Sequence, residues 1–147
     1  MTTQVTYRNI VEADAAAMKR ISDNMLGNTG LGTATEAKIK RMYQIPGMVG
    51  YVAEVDNEII GFVVGLLHEN IFNDRRRVSD IGLYVEPGVR GLEIGQGLIR
   101  CLENWAREQG ADEVWLGQTT GYKPEKVAKL YEFMGYRLAG FNAVKEL

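Results

Sequence analysis

The clearest chemical possibility in this 147-residue chain lies between Ile81 and Gly97. An apolar strand carried by Ile81, Leu83 and Val85 ends at Glu86-Pro87. A loop of Val89, Arg90, Gly91, Leu92, Glu93, Ile94, Gly95, Gln96 and Gly97 then runs into a helix. A strand feeding a helix through such a turn leaves backbone N–H groups without internal partners at the positive end of the helix dipole. Such a terminus is a site for a phosphate or pyrophosphate. Glycines let the backbone approach the ligand, and Arg90 adds a fixed cation with a fork of donors. The plain alternative is a surface loop capping an ordinary amphipathic helix.

Two familiar phosphate loops do not fit. A Walker loop must end in Gly-Lys-Ser/Thr, which Gln96-Gly97 cannot supply. The dinucleotide fingerprint Gly-x-Gly-x-x-Gly begins at Gly95 and Gly97, but Arg100 stands where the third glycine belongs. Other reactive residue types are sparse. Cys101 lies one step off a helical apolar stripe and has no visible base partner, so it reads as a packed, inert thiol. The lone His68 argues against a histidine-rich metal site. Arg75-Arg76-Arg77 could bind an anion, but acidic and amide neighbours surround the run, and it reads as a solvated strand start.

The elements that must position these residues follow from patterning. Gln4 to Arg8 reads as a first strand and the chain from about Glu12 as a helix, with Ala17, Met18, Ile21 and Met25 at helical spacing. Gly27, Gly30 and Gly32 break that helix into a loop suited equally to a substrate lid or a plain connector. Thr33 with Glu36 has capping-box spacing and starts a second helix that ends by Pro46. Val49 to Val55 alternates as a half-buried strand, Asp56-Asn57-Glu58 turns the chain, and Ile59 to Leu67 reads as a strand covered on both faces. After the loop, Ile94, Leu98, Leu102, Trp105 and Ala106 form one helical stripe, ended by Gly110. Glu113 to Gly117 is a short strand, parallel to the Ile81–Val85 strand across the intervening helix. Pro124 suits the first turn of a last helix carrying Val127, Leu130, Tyr131 and Met134. Tyr136-Arg137-Leu138 and Phe141 to Val144 read as a closing pair of strands.

Composition bounds the function. Apolar content of 46% and charged content of 24% are those of an ordinary globular protein, and the length suits one compact domain, 1–147. A net charge of −2 gives no reason to expect nucleic-acid binding. One cysteine excludes an internal disulfide and fits a reducing compartment. With no secretory-signal pattern and no membrane-spanning run, a cytoplasmic address is expected.

The stretch after the strand, Val85-Glu86-Pro87 followed by Arg90-Gly91-Leu92-Glu93-Ile94-Gly95, resembles the pyrophosphate loop of the GNAT superfamily of acyl-CoA-dependent N-acetyltransferases. That loop reads Arg/Gln-x-x-Gly-x-Gly/Ala, and Glu93 replaces its first glycine. A carboxylate there is expected to point to solvent, away from phosphates. Lys129-Leu130-Tyr131-Glu132-Phe133-Met134-Gly135-Tyr136 resembles a second signature of the family, Leu-Tyr-Glu-x-x-Gly-Phe. Pro124 stands where the family usually has an asparagine that contacts pantetheine.

The resemblance implies an α+β domain with a mixed, mostly antiparallel sheet of six or seven strands and four flanking helices. It implies acetyl-CoA as co-substrate, its diphosphate held by Arg90 to Gly97, and its pantetheine arm lying along Leu83, Tyr84 and Val85 as an added strand. It makes Tyr131 the acid that protonates the departing thiolate, since tyrosine stays protonated at neutral pH. Asp80 is the nearest candidate base, ahead of Glu69 and His68. The activity implied is acetyl transfer to a primary amine of a small molecule or a protein, and the alternative is an acyl-CoA-binding module without transfer. A non-catalytic interaction domain without a cofactor is the further rival. The loop from Leu26 to Thr35 and the segment from His68 to Arg77 are expected to shape the acceptor pocket. Homodimers are common in the family.

Overall fold

The computed structural model describes residues 4–27, 35–89, 93–117 and 123–147. Its elements are β1 (Thr6–Asn9), α1 (Ala15–Leu26), α2 (Glu36–Arg41), β2 (Met48–Val55), β3 (Glu58–Glu69), β4 (Arg76–Val85), α3 (Glu93–Glu108), β5 (Glu113–Trp115) and α4 (Pro124–Phe133). They build a five-stranded sheet in the order β1-β2-β3-β4-β5. The first four strands pair antiparallel, and β5 joins β4 in parallel.

Local chemistry explains the hairpin at the sheet centre. Asp56 and Asn57 take φ of 51° and 64°, the left-handed pair that a tight hairpin turn requires and that Asp and Asn tolerate. The strand that follows is covered on both faces, as its apolar run predicts. Phe62 and Val64 pack with Met18 and Ile21 of α1 and with Ile39 of α2, whereas Val63 packs with Leu98 and Leu102 of α3. Leu98 and Leu102 are fully buried, and each such side chain removed from water contributes about 1.5–3 kcal/mol. Beneath β1, Arg8 donates to both carboxylate oxygens of Asp14, at 2.8 and 2.9 Å, and to Glu54 at 2.9 Å. The guanidinium offsets the burial of Asp14 and holds its carboxyl below the usual range.

Three expectations need correction. The first helix starts at Ala15, after a short 3-10 turn over Glu12–Asp14. The second helix is capped by Thr35, whose hydroxyl accepts from the Lys38 N–H at 3.3 Å; Thr33 lies outside the described residues. The sheet has five described strands, not six or seven, because the closing pair is absent. Residues 135–147 carry a strand-like sequence but form no ladder, and an extended segment becomes a strand only when its backbone groups are paired.

Candidate acyl-CoA site

The site grows from the place where the sheet changes direction. The β4–β5 ladder runs through only Arg77↔Glu113, Val78↔Val114 and Ser79↔Trp115. Beyond it β4 continues to Val85 while β5 has ended, so from Asp80 onward that edge of β4 has no described strand beside it. On the other edge, β3 residues Gly65 and Val64 face Asp80 and Gly82, which leaves Ile81 as a bulge in β4. A bulge bends the strand and re-aims its side chains. Ile81 is accordingly exposed, and beyond it Leu83 and Val85 turn toward the α3 layer while Tyr84 joins the α1 layer.

At the point where the strands part, one residue joins the two candidate reactive groups. The Gly117 N–H donates to Asp80 Oδ1 at 2.9 Å, and the Tyr131 hydroxyl donates to the Gly117 carbonyl at 2.8 Å. Side chains thus take the places that ladder partners would fill. Tyr131 is buried between Ile99 and Leu130 and tilts against the ring of Tyr136, with centroids 6.1 Å apart. Burial first, then the nearby Asp80 charge, push its phenol well above the ordinary value. Among the described residues no cation offsets the burial of Asp80, and its carboxyl is pushed up to about 6, against hydrogen bonds from Gly117 and its own backbone. A carboxylate with that value is ionised at neutral pH yet basic enough to accept a proton.

The loop half of the predicted site is described in part. Arg90, Gly91 and Leu92 lie outside the described residues. Glu93 opens α3 and is exposed, as expected of a carboxylate beside a phosphate site. Ile94 is buried beneath the helix start. Gln96 is half-buried, and its side chain accepts from Arg100 at 3.5 Å. Gly95 and Gly97 have packing reasons of their own. A Cβ on Gly95 would sit 3.3 Å from Leu130 of α4, and one on Gly97 would sit 2.0 Å from the Tyr7 hydroxyl. These glycines let α4 and β1 close against the first turns of α3.

The remaining candidates fall elsewhere. His68 Nε2 lies 2.8 Å from the Ser79 hydroxyl. Cys101 is half-buried and its thiol is pushed up by burial, which fits an inert packed residue. Arg77 stacks over Trp115 at 4.3 Å and pairs with Glu113 at 3.2 Å, as does Arg75. The arginine run is therefore spent on fastening β4 to β5. No group of metal-ligating side chains occurs among the described residues, and none of their helices is long and apolar enough to cross a membrane. The sequence reading missed Gly117 as the link between Asp80 and Tyr131; a glycine ending the short strand read over Glu113 to Gly117 was its only signal.

The arrangement combines a β4 edge with no described strand beside it, a helix start beyond it, and the candidate groups Asp80 and Tyr131 on one glycine. The family profile described as acetyltransferase (GNAT) family matches residues 22–136. The chain belongs to the GNAT family. This GNAT domain is 34% identical over 88 residues to streptothricin acetyltransferase of Streptomyces lavendulae, covering 60% of this chain and 43% of that protein. It is 30% identical over 90 residues to N-acetyltransferase family 8 member 2 of Rattus norvegicus, covering 61% and 39%. It therefore spans less than half the length of the curated relatives it matches. Among solved structures it is similar to a Trypanosoma brucei acetyltransferase, with TM-score 0.77 and 21% identity over 98% of this chain and 100% of that one. It is also similar to an aminoglycoside N-acetyltransferase in complex with CoA, with TM-score 0.79 and 14% identity over 100% and 97%. These likenesses show that the α+β fold is the GNAT fold with a shorter described sheet.

Proposed function

We propose that this chain transfers an acetyl group from acetyl-CoA to a primary amine, most directly that of a small molecule. The observation that carries the reading is the fork itself: the edge of β4 from Asp80 to Val85, beside which no strand lies among the described residues, with Asp80 and Tyr131 held on opposite sides of Gly117. The edge at Leu83, Tyr84 and Val85 offers backbone groups to an extended pantetheine arm. The start of α3, from Glu93 to Gly97, with Arg90, Gly91 and Leu92 before it, receives the diphosphate. When bound, acetyl-CoA supplies the activated thioester carbonyl. Names of relatives support the acceptor class, since streptothricin and aminoglycosides are amine-bearing small molecules.

The chain's own residues divide the proton work. Asp80, ionised above about pH 6, takes a proton from the acceptor ammonium and leaves a neutral nucleophile. A backbone N–H near Leu83 or Val85 donates to the thioester oxygen as negative charge develops there. Tyr131 keeps its proton throughout the neutral range and gives it to the departing sulfur. A hydroxyl has one proton to donate, so Tyr131 must leave the Gly117 carbonyl to do this. The cytoplasm, where acetyl-CoA and reduced thiols coexist, is the address that fits.

The test is release of free CoA thiol from acetyl-CoA in the presence of a panel of small-molecule amines and amine-bearing peptides. Amine-dependent release that rises as pH passes through about 6 supports the reading. CoA binding without release for any amine would instead establish an acyl-CoA-binding module.

A further inference from the structure

The two faces of β4 at the fork are used unequally. Leu83 and Val85 turn to the α3 layer. The opposite face carries Gly82 and Tyr84, which lie across from Val64 and Phe62 of β3. A Cβ on Gly82 would sit 2.6 Å from the Tyr84 ring, so that ring lies back along the strand, over the glycine and in the direction of Asp80. Phe62 holds the ring from the β3 side, with centroids 5.1 Å apart. On its other side lies the edge of β4 beside which no strand runs among the described residues. Burial first, then the Asp80 charge, push the Tyr84 phenol up, as they do that of Tyr131, so the carboxylate acts on both rings. Asp80 itself accepts only from neutral donors, the Gly117 N–H and its own backbone, and no cation pairs with it among the described residues. Glu86, two residues beyond Tyr84, is instead engaged by Asn24 at 2.9 Å and lies 3.9 Å from Arg20.

We propose that the Tyr84 ring and the Asp80 carboxylate form the subsite for the acceptor's ammonium group, and that the acceptor class is an aliphatic primary amine arriving as a cation. The proposal rests on the transfer reading of the same fork and adds the side chain that selects the acceptor. An ammonium over an aromatic face is drawn by the negative face of the ring, and the adjacent carboxylate supplies the matching charge. A carboxylate accepts through about four lone-pair sites, so Asp80 keeps its link to Gly117 while it receives the cation. Gly82 is the specificity position, because any side chain there would take the space that the ring occupies. An uncharged isostere of the amine gains neither attraction. The acetylated product is a neutral amide and is no longer held by either group.

The test is a titration of the full chain with n-butylammonium, and separately with n-butanol, in the presence of CoA so that no acetyl group can move. It is followed by NMR at the Tyr84 ring and the Asp80 and Gly82 amides. Butylammonium should shift these signals saturably, and butanol should leave them in place. Tyr84→Leu removes the ring and should raise the half-saturating butylammonium concentration about ten-fold. Tyr84→Phe, which returns the ring, should recover most of that loss. Gly82→Ala displaces the ring without altering Tyr84 and should weaken binding in the same direction, which keeps the test independent of how well Tyr84→Leu folds. Equal responses to butanol and butylammonium, or a half-saturating concentration unchanged by both Tyr84→Leu and Gly82→Ala, overturn the proposal. Amine-dependent thiol release from acetyl-CoA with no butylammonium shift at Tyr84 would remove this subsite and leave the transfer reading standing. Butylammonium bound at Tyr84 with no thiol release for any amine would keep the subsite and remove the transfer.

Discussion

The two ends of the sheet are built differently. From β1 to β4 the strands are joined antiparallel by short-range register, with up to ten residues in the strand that meets the site, and both faces are covered by helices. At the other end β5 has three residues, three rungs and an exposed tryptophan. The first region is a body whose stability comes from buried Leu, Ile and Val. The second is held by a few polar links: Arg77 and Arg75 on Glu113, Asp80 on Gly117, and Tyr131 on the Gly117 carbonyl. The contrast puts the candidate groups Asp80 and Tyr131 where the sheet lets go, supported by the part that does not.

The largest expected effect is on turnover at the fork. Tyr131→Phe removes the acid and one link to Gly117, so kcat should fall by about 10²–10⁴-fold, equivalent to about 3–5 kcal/mol of barrier, with the Kd for CoA nearly unchanged. Steady-state rates beside a calorimetric titration check this. Next comes the asymmetry of the two ends. Leu102→Ala should cost about 2–5 kcal/mol in denaturant unfolding, since the residue is fully buried under β3 and β4. Trp115→Ala, at the exposed end, should cost about 1 kcal/mol, its main loss being the stack with Arg77. Equal losses would erase the distinction between body and fork.

Much of this division could be read in the sequence. The hairpin at Asp56-Asn57, the stripe from Ile94 to Ala106, and the stops at Gly110 and Gly135, both with positive φ, are local signals with local causes. The fork was legible only in outline. Asp80 and Tyr131 are far apart in the chain, and what joins them is a backbone group of Gly117, which leaves no side-chain trace. The tail misled for a related reason. Strand propensity in Phe141 to Val144 is visible, but whether a strand forms depends on a partner that the chain itself does not place there.

A third prediction separates packing from binding at the start of α3. Gly97→Ala drives a methyl into the Tyr7 ring and should cost about 1–3 kcal/mol of stability and weaken CoA binding together, because the same turn receives the diphosphate. A loss of stability with unchanged CoA affinity would assign Gly97 to packing alone.

The last prediction concerns pH. Burial raises the Asp80 carboxyl from its ordinary value of 3.8 to about 6 in the folded chain, so its ionised form opposes folding. Below the unfolded value both states are protonated and Asp80→Asn should change little. As pH rises from 4 to 6 the unfolded chain releases its proton more readily, and the variant should gain about 2–3 kcal/mol of stability relative to the unaltered chain, with no further gain above that range. Melting curves at pH 4 and pH 7.5 give the comparison. A gap that narrows with rising pH would reverse the assigned cause.

The central claim is that CoA lies along the open edge of β4 and ends on the first turn of α3. Backbone amide shifts followed by NMR during a CoA titration test it most directly. The account predicts perturbations concentrated at Asp80 to Val85, Glu93 to Gly97 and Gly117, with β1 and β2 little changed. Saturable binding that leaves those amides in place, or no binding at millimolar CoA, would contradict it.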